Sequence, residues 1–192
     1  FKKHIYNVLI NCPDIEFITL KENEFEIKFQ VQKVFQIDQY ISLYEVSGKG
    51  ELKKFIVIKD NSNGISISIE YSDDKKIVPK EKDQESLYTV FPLVGSSAHI
   101  LPFSINCHDF EPTTERNALI LDGEEIINDE ETKTCKNRKI LLNSIDLFEK
   151  MVNYLNENQY SDLHELTVGL ILYEKPYNTF DMIWYKEQFL VK

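Results

Sequence analysis

Cysteine is scarce in this chain: Cys12, Cys107 and Cys135 are the only three in 192 residues, and none forms a C-x-x-C pair. An odd, unpaired set argues against a disulfide framework and for a reducing, cytoplasmic setting. Glycine is also sparse, with six scattered residues that build no G-x-x-G-x-G sequence or P-loop able to cradle a phosphate chain. Basic residues number 22 against 32 acidic ones, and the net charge of −10 excludes a general nucleic-acid binder, which needs a basic stripe. The same charge disfavours docking on an anionic membrane. The sequence has no N-x-[ST] acceptor, no signal-like apolar region and no apolar run of membrane length. It begins with Phe1 rather than Met, so the chain is expected to be a fragment of a longer protein.

What is present is an ordinary globular composition, 42% apolar and 28% charged, rich in Phe and Tyr. Lys3 to Asn11 is loosely helical and ends at Pro13. Ile15 to Leu20 reads as a strand, and Lys21 to Glu24 as the tip of a hairpin. Phe25, Ile27, Phe29 and Val31 alternate with polar residues, the period-two signature of a half-buried strand. Gln39 to Val46 and Phe55 to Ile58 are further strands. Asn63-Gly64 then marks a tight hairpin into Ile65, Ile67, Ile69 and Tyr71, which alternate with Ser66, Ser68 and Glu70. The first seventy or so residues are thus expected to form an antiparallel meander with one wet face. Asp73 to Ser86 reads as a charged connector, and the acidic segment Gly123 to Asn137 as a mobile loop.

Beyond it the pattern turns helical. Leu141, Ile145, Phe148, Val152 and Leu155 give one apolar stripe, with Asn137 as candidate N-cap. A second helix is expected from Ser161 through Leu163, Leu166, Leu170 and Ile171, ending at Pro176. A third covers Phe180 to Val191, with Trp184, Phe180 and Tyr185 as packing residues. The expected fold is α+β: one domain over 1–192, sheet-rich over 1–122, with a helical part, 136–192, packed on the sheet. Phe25, Phe29 and Ile67 are expected to point into one core covered by Phe148 and Val152.

The densest punctuation lies between Phe91 and Leu121. An apolar step ends at Gly95, Pro102 opens a short β-type run to Asn106, and a polar loop from Asp109 to Asn117 carries Arg116. Three blocks stand out: Phe91-Pro92-Leu93-Val94-Gly95, Pro102-Phe103-Ser104-Ile105-Asn106, and Phe110-Glu111-Pro112-Thr113-Thr114-Glu115-Arg116. In this order they resemble the segment that follows the nucleotide-binding domain in bacterial sacsin-like proteins and in the heat-shock ATPase chaperone, members of the GHKL class. The acidic insert and the amphipathic helix after it resemble that family too. Leu101-Pro102 and Arg116 are further apart here than in the chaperone.

The resemblance implies a middle, transducer-like domain. Its N-terminal nucleotide-binding partner in the same chain would hold ATP with Mg, and this fragment alone would bind none. Arg116 would reach the terminal phosphate, with Asn106 and Glu115 supporting its loop. A planar, permanently charged guanidinium suits that task, because phosphoryl transfer spreads charge over terminal oxygens. A protein client is also implied as a partner. The bland alternative is that Arg116 pairs with Glu111 or Glu115 and orders the turn, in a non-catalytic interaction or scaffold domain. His99, Cys107, His108 and Asp109 invite a reading as metal ligands or as a thiol nucleophile with its base. Adjacent Cys107-His108 lacks finger spacing, however, and no orienting group or oxyanion donor follows. No metal site is expected.

Overall fold

The computed structural model of the protein describes residues 4–12, 14–22, 25–167 and 177–190. A short helix α1 (Ile5–Asn11) precedes five strands: β1 (Phe17–Glu22), β2 (Phe25–Gln36), β3 (Ile41–Gly48), β4 (Glu51–Asp60) and β5 (Ile65–Tyr71). They pair antiparallel in sequence order, the meander expected from the alternating patterns. Asp60 closes the β4–β5 turn. Its carboxylate accepts from the Ser62 N–H, the Ser62 hydroxyl and the Asn63 amide, and these bonds hold its pKa below the usual carboxylate range. Gly64 supplies the positive φ of 63° that the turn needs.

The connector after β5 is not featureless, since β6 (Ile77–Val78) pairs beside it. The chain then forms β7 (Leu87–Thr89), β8 (Phe91–Pro92) and β9 (Ser104–Cys107). β9 runs antiparallel to β5, while β7 runs parallel to β9 and carries β8 on its outer side. Among the described residues the sheet therefore has nine strands and one parallel pairing. Two helices follow, α2 (Lys133–Glu157) and α3 (Met182–Trp184), the latter widening into a π-type segment over Tyr185–Leu190. The class is α+β. Among the described residues no helix is long and apolar enough to cross a membrane.

The sheet buries both faces. β4 shows why: Phe55, Ile56, Val57 and Ile58 are all at most 3% exposed, so alternate residues enter different cores. Ile56, Ile58, Ile65, Ile67 and Ile69 pack with Leu141, Met151 and Leu155 of α2. On the opposite face Phe29, Val46, Phe55 and Val57 pack with Ile5, Tyr6, Leu9 and Ile10 of α1. Phe29 and Ile67 thus lie on opposite sides of the sheet, and Phe25, 76% exposed at the start of β2, enters neither core. Phe148 and Val152 do pack against the α2-side core, where the Phe148 ring stacks on Phe103 at 4.5 Å between centroids.

The expected wet face of β5 is covered instead. Ser66 and Ser68 are buried, and small side chains there leave room for α1. The Ser66 hydroxyl donates to Asn11 Oδ1 at 3.1 Å, and the Asn7 amide donates to the Tyr88 hydroxyl at 3.1 Å. At Ser66 the polar lettering therefore marks a hydrogen-bonded helix contact rather than solvent, while the buried Ser68 hydroxyl has no hydrogen-bond partner among the described residues.

One loop and two helical expectations also change. The acidic segment folds as a hairpin of β10 (Ile126–Ile127) and β11 (Glu130–Glu131), turning through Asn128 and Asp129 at φ 51° and 66°. Asn and Asp tolerate that left-handed pair. α2 starts earlier than Asn137, and its N-cap is Thr132, whose side chain accepts from the Cys135 N–H. The segment after Ser161 is a single 3-10 turn over Leu163–Leu166. Its expected continuation through Leu170 and Ile171 to Pro176 lies outside the described residues, as do Pro13 and the hairpin tip at 23–24. The third helix is present in its described part. Phe180 and Tyr185 are fully buried around His99, and Trp184 lies under the Arg138 guanidinium.

Candidate functional site

The loop that carries Arg116 is pinned shut at its neck. Pro112 and Leu119 form an antiparallel bridge, and the Thr113 N–H donates to the Ala118 carbonyl at 2.9 Å. The Arg116 N–H donates to the Thr113 carbonyl at 2.9 Å, closing a turn in which Arg116 itself takes φ 53°. Asn137 of α2 completes the clamp. Its Nδ2 donates to the carbonyls of Glu111 and Ile120 at 2.8 and 3.0 Å, while its Oδ1 accepts from the Glu111 N–H at 2.8 Å. One fully buried amide therefore ties both strands of the neck.

The β7–β8 turn faces this loop. Val90, its single connecting residue, has φ 74°, a conformation that is strained for a β-branched side chain. Its N–H donates to Asn106 Oδ1 at 2.7 Å. Next to Val90, the Thr89 hydroxyl accepts a hydrogen bond from Arg116 Nη2. Gly95 approaches from the same side: a Cβ there would lie 2.9 Å from the Asn117 carbonyl oxygen, and its φ of 98° also requires glycine. The buried Glu85 carboxylate fixes this step by accepting from Gly95 N–H, Ser97 N–H and the Ser96 hydroxyl.

Gly95, Asn106 and Arg116, separated in sequence, thus meet around one turn. Asn106 supports the facing turn, and its hydrogen bond does not go to the Asp109–Asn117 loop. Glu115 is exposed and forms no ion pair with Arg116. Glu111 is engaged elsewhere, by Lys133 at 3.5 Å and Lys136 at 3.9 Å. The arginine is therefore not a turn-ordering partner of either acid.

Beside the loop lies an open cleft of about 750 Å³, lined by Arg116, His108, Asn63, Asn143, Lys136 and Lys139. Asp109, Glu111 and Glu131 line it too, so its charges nearly balance. Lys136 and Lys139 are matched by Glu111 and Glu131. Arg116 has only the neutral Thr89 hydroxyl, and among the described residues no carboxylate pairs with it.

The Cys/His constellation does not assemble. His99 is buried within the aromatic cluster, its Nε2 at 2.7 Å from the Tyr177 hydroxyl, and burial drives its pKa down to about 3. Cys107 is buried with its thiol pKa pushed up by desolvation, the opposite of an activated nucleophile. His108 is exposed on the cleft. Among the described residues no group of three His, Cys, Asp or Glu side chains could hold a metal ion.

Thr89 and Asn137 carry no sequence motif of their own. Asn137 gave one usable signal: it lies four residues before Leu141 on the apolar stripe, and an amide on a core-facing helical position needs partners. No family model matches the chain, nor does any curated protein or solved structure. What the fold and the site define together is an α+β chain that presents from a clamped loop an arginine with no carboxylate partner among the described residues.

Proposed function

We propose that the chain is the middle, transducer-like part of a GHKL-type ATPase that supplies Arg116 to ATP held by a separate N-terminal domain. The observation that carries this reading is the state of Arg116: exposed, on a pinned loop, bonded to a hydroxyl and, among the described residues, without a direct carboxylate partner at the rim of a cleft. A hydroxyl acceptor orients a guanidinium without cancelling its charge, so the cation stays available to oxygens that gain charge during phosphoryl transfer. The lysines beside it are already matched by carboxylates. That set fits one contact to a terminal phosphate and does not fit a cradle for a whole triphosphate. ATP and its Mg ion therefore belong to the other domain, and the 192-residue chain alone is expected not to bind them.

The test is steady-state turnover set against ATP affinity in the protein with its nucleotide-binding domain. Arg116→Ala should lower turnover about ten- to a hundred-fold, or ~1.4–2.7 kcal/mol in the barrier, with affinity nearly intact. Arg116→Lys should rescue only in part, because a point charge cannot reproduce the planar fork. Unchanged turnover with normal binding would remove Arg116 from the reaction.

A second reading, a non-catalytic scaffold or client-binding domain, is favoured by exposed aromatic residues on the outer strands: Phe17 at 52%, Phe25 at 76% and Phe35 at 60%. Nucleotide-dependent amide protection of residues 109–117 favours the first reading. Partner-dependent protection of β1 and β2 without it favours the second.

A further inference from the structure

We propose that Thr89, held in place by Asn106, is the positioning residue for the Arg116 guanidinium. The inference rests on the ATPase reading above for its kinetic consequence, but its geometry stands separately. Thr89 is the last residue of β7, anchored on one side by the parallel pairing of Leu87 and Tyr88 with β9. On its other side the chain must turn at once through Val90 at φ 74° to bring Phe91 back opposite Thr89. Such a conformation persists only where surrounding contacts over-determine it. Here the contact is Asn106, a buried residue of β9 whose Oδ1 takes the Val90 N–H at 2.7 Å. The strained turn therefore fixes the direction of the Thr89 hydroxyl, which accepts from Arg116 Nη2.

From the other side Arg116 is equally constrained. Its own φ is 53°, its N–H is bonded to Thr113, and Asn117 is pressed against Gly95. The backbone is thus fixed on both sides of the contact, and the Thr89 oxygen selects one orientation of a long side chain. A guanidinium carries five N–H donors, so one bond to Thr89 leaves four for an incoming anion. Holding a flexible cation in advance lowers the ordering cost at the moment of reaction. Neither acid flanking the loop can take the place of Thr89 without neutralising the charge.

The experiment combines turnover with a direct probe of the guanidinium. Thr89→Val is nearly isosteric, stays β-branched for the strand and replaces the hydroxyl, with its acceptor, by a methyl group, while Thr89→Ser restores it. Turnover is expected to fall about three- to ten-fold in Thr89→Val with little change in ATP KM, and to recover in Thr89→Ser. In an Arg116→Ala background the same substitution should have no further effect. On the 192-residue chain, NMR of the arginine side-chain nitrogens should show faster rotation and exchange for Arg116 in Thr89→Val than in wild type or Thr89→Ser. Normal or raised turnover in Thr89→Val, where Arg116→Ala is impaired, would overturn the positioning role; raised turnover would make Thr89 a resting perch. An unimpaired Arg116→Ala would instead overturn the ATPase reading, leaving the NMR comparison to decide the positioning role. Unchanged Arg116 dynamics in Thr89→Val would overturn that role whatever the kinetics.

Discussion

Asn137→Ala removes three hydrogen bonds at 2.8, 2.8 and 3.0 Å and strands one N–H and two carbonyls on the neck of the arginine loop. A buried backbone group left without a partner costs about 1–3 kcal/mol. Glu111 and Ile120 are only partly buried, so water can reach some of the freed groups and the lower part of that range applies to each. Alanine is also the better helix former, which returns about half a kcal/mol. The net loss should be roughly 2–5 kcal/mol, large for a change that deletes no apolar core. Urea denaturation with unchanged m-value measures it, and hydrogen exchange at the Glu111 amide reports the neck itself. Asn137→Asp sharpens the test. It keeps the acceptor for the Glu111 N–H but sets a carboxylate oxygen against two carbonyls, which raises that carboxyl's folded pKa. The variant should therefore become less unstable as pH falls toward that pKa. A loss under ~1 kcal/mol in Asn137→Ala, with the Glu111 amide still protected, would refute the clamp.

Two further outcomes follow from burial and charge. Ile67→Ala, at a fully buried site facing α2, should cost about 2–5 kcal/mol, whereas Phe25→Ala at a 76% exposed site should stay within about 0.5 kcal/mol by thermal or urea unfolding; comparable losses would contradict the two-faced sheet. His99, whose pKa falls from 6.5 to about 3 on burial, binds a proton more readily unfolded than folded, so its contribution is full above pH 6.5 and lost as pH falls toward 3. Between about pH 6.5 and 5 this should amount to about 2 kcal/mol, and His99→Gln should flatten that slope; an equal slope in the variant would assign it to other groups.

Alternation was enough to read the meander, because β2 from Phe25 to Val31 and β5 throughout place apolar residues at every second position and Asn63-Gly64 fixes the turn between β4 and β5. The second core was not legible. Seen from sequence, Ser66 and Ser68 look solvent-facing, and only the packing of α1, with Asn11 as the hydrogen-bond partner of Ser66, buries that side. The acidic segment hid a hairpin because charge density outweighed the two left-handed residues, Asn128 and Asp129, that make its turn. At the site the sequence pointed to the loop and to Arg116, but not to what holds them. Thr89 and Asn137 lie 27 residues before and 21 residues after Arg116, so their contacts arise from strand and helix placement rather than from local pattern. Asn106 stood out by its motif, yet its partner, Val90, becomes visible only once β7 and β8 are folded against β9.

The clamp also makes α2 a lever. From Asn137 to Leu155 the helix runs roughly 27 Å at its regular rise per residue. Pivoting the helix by about 5° at its Leu155 end would sweep Asn137 sideways by about 2 Å. Bonds of 2.8 Å to Glu111 tolerate no such gap, so the neck must either travel with the helix or let go of it. The position of a guanidinium on the sheet's far edge is thereby tied to the tilt of a 25-residue rod that lies on the isoleucines of β5 through Leu141, Met151 and Leu155.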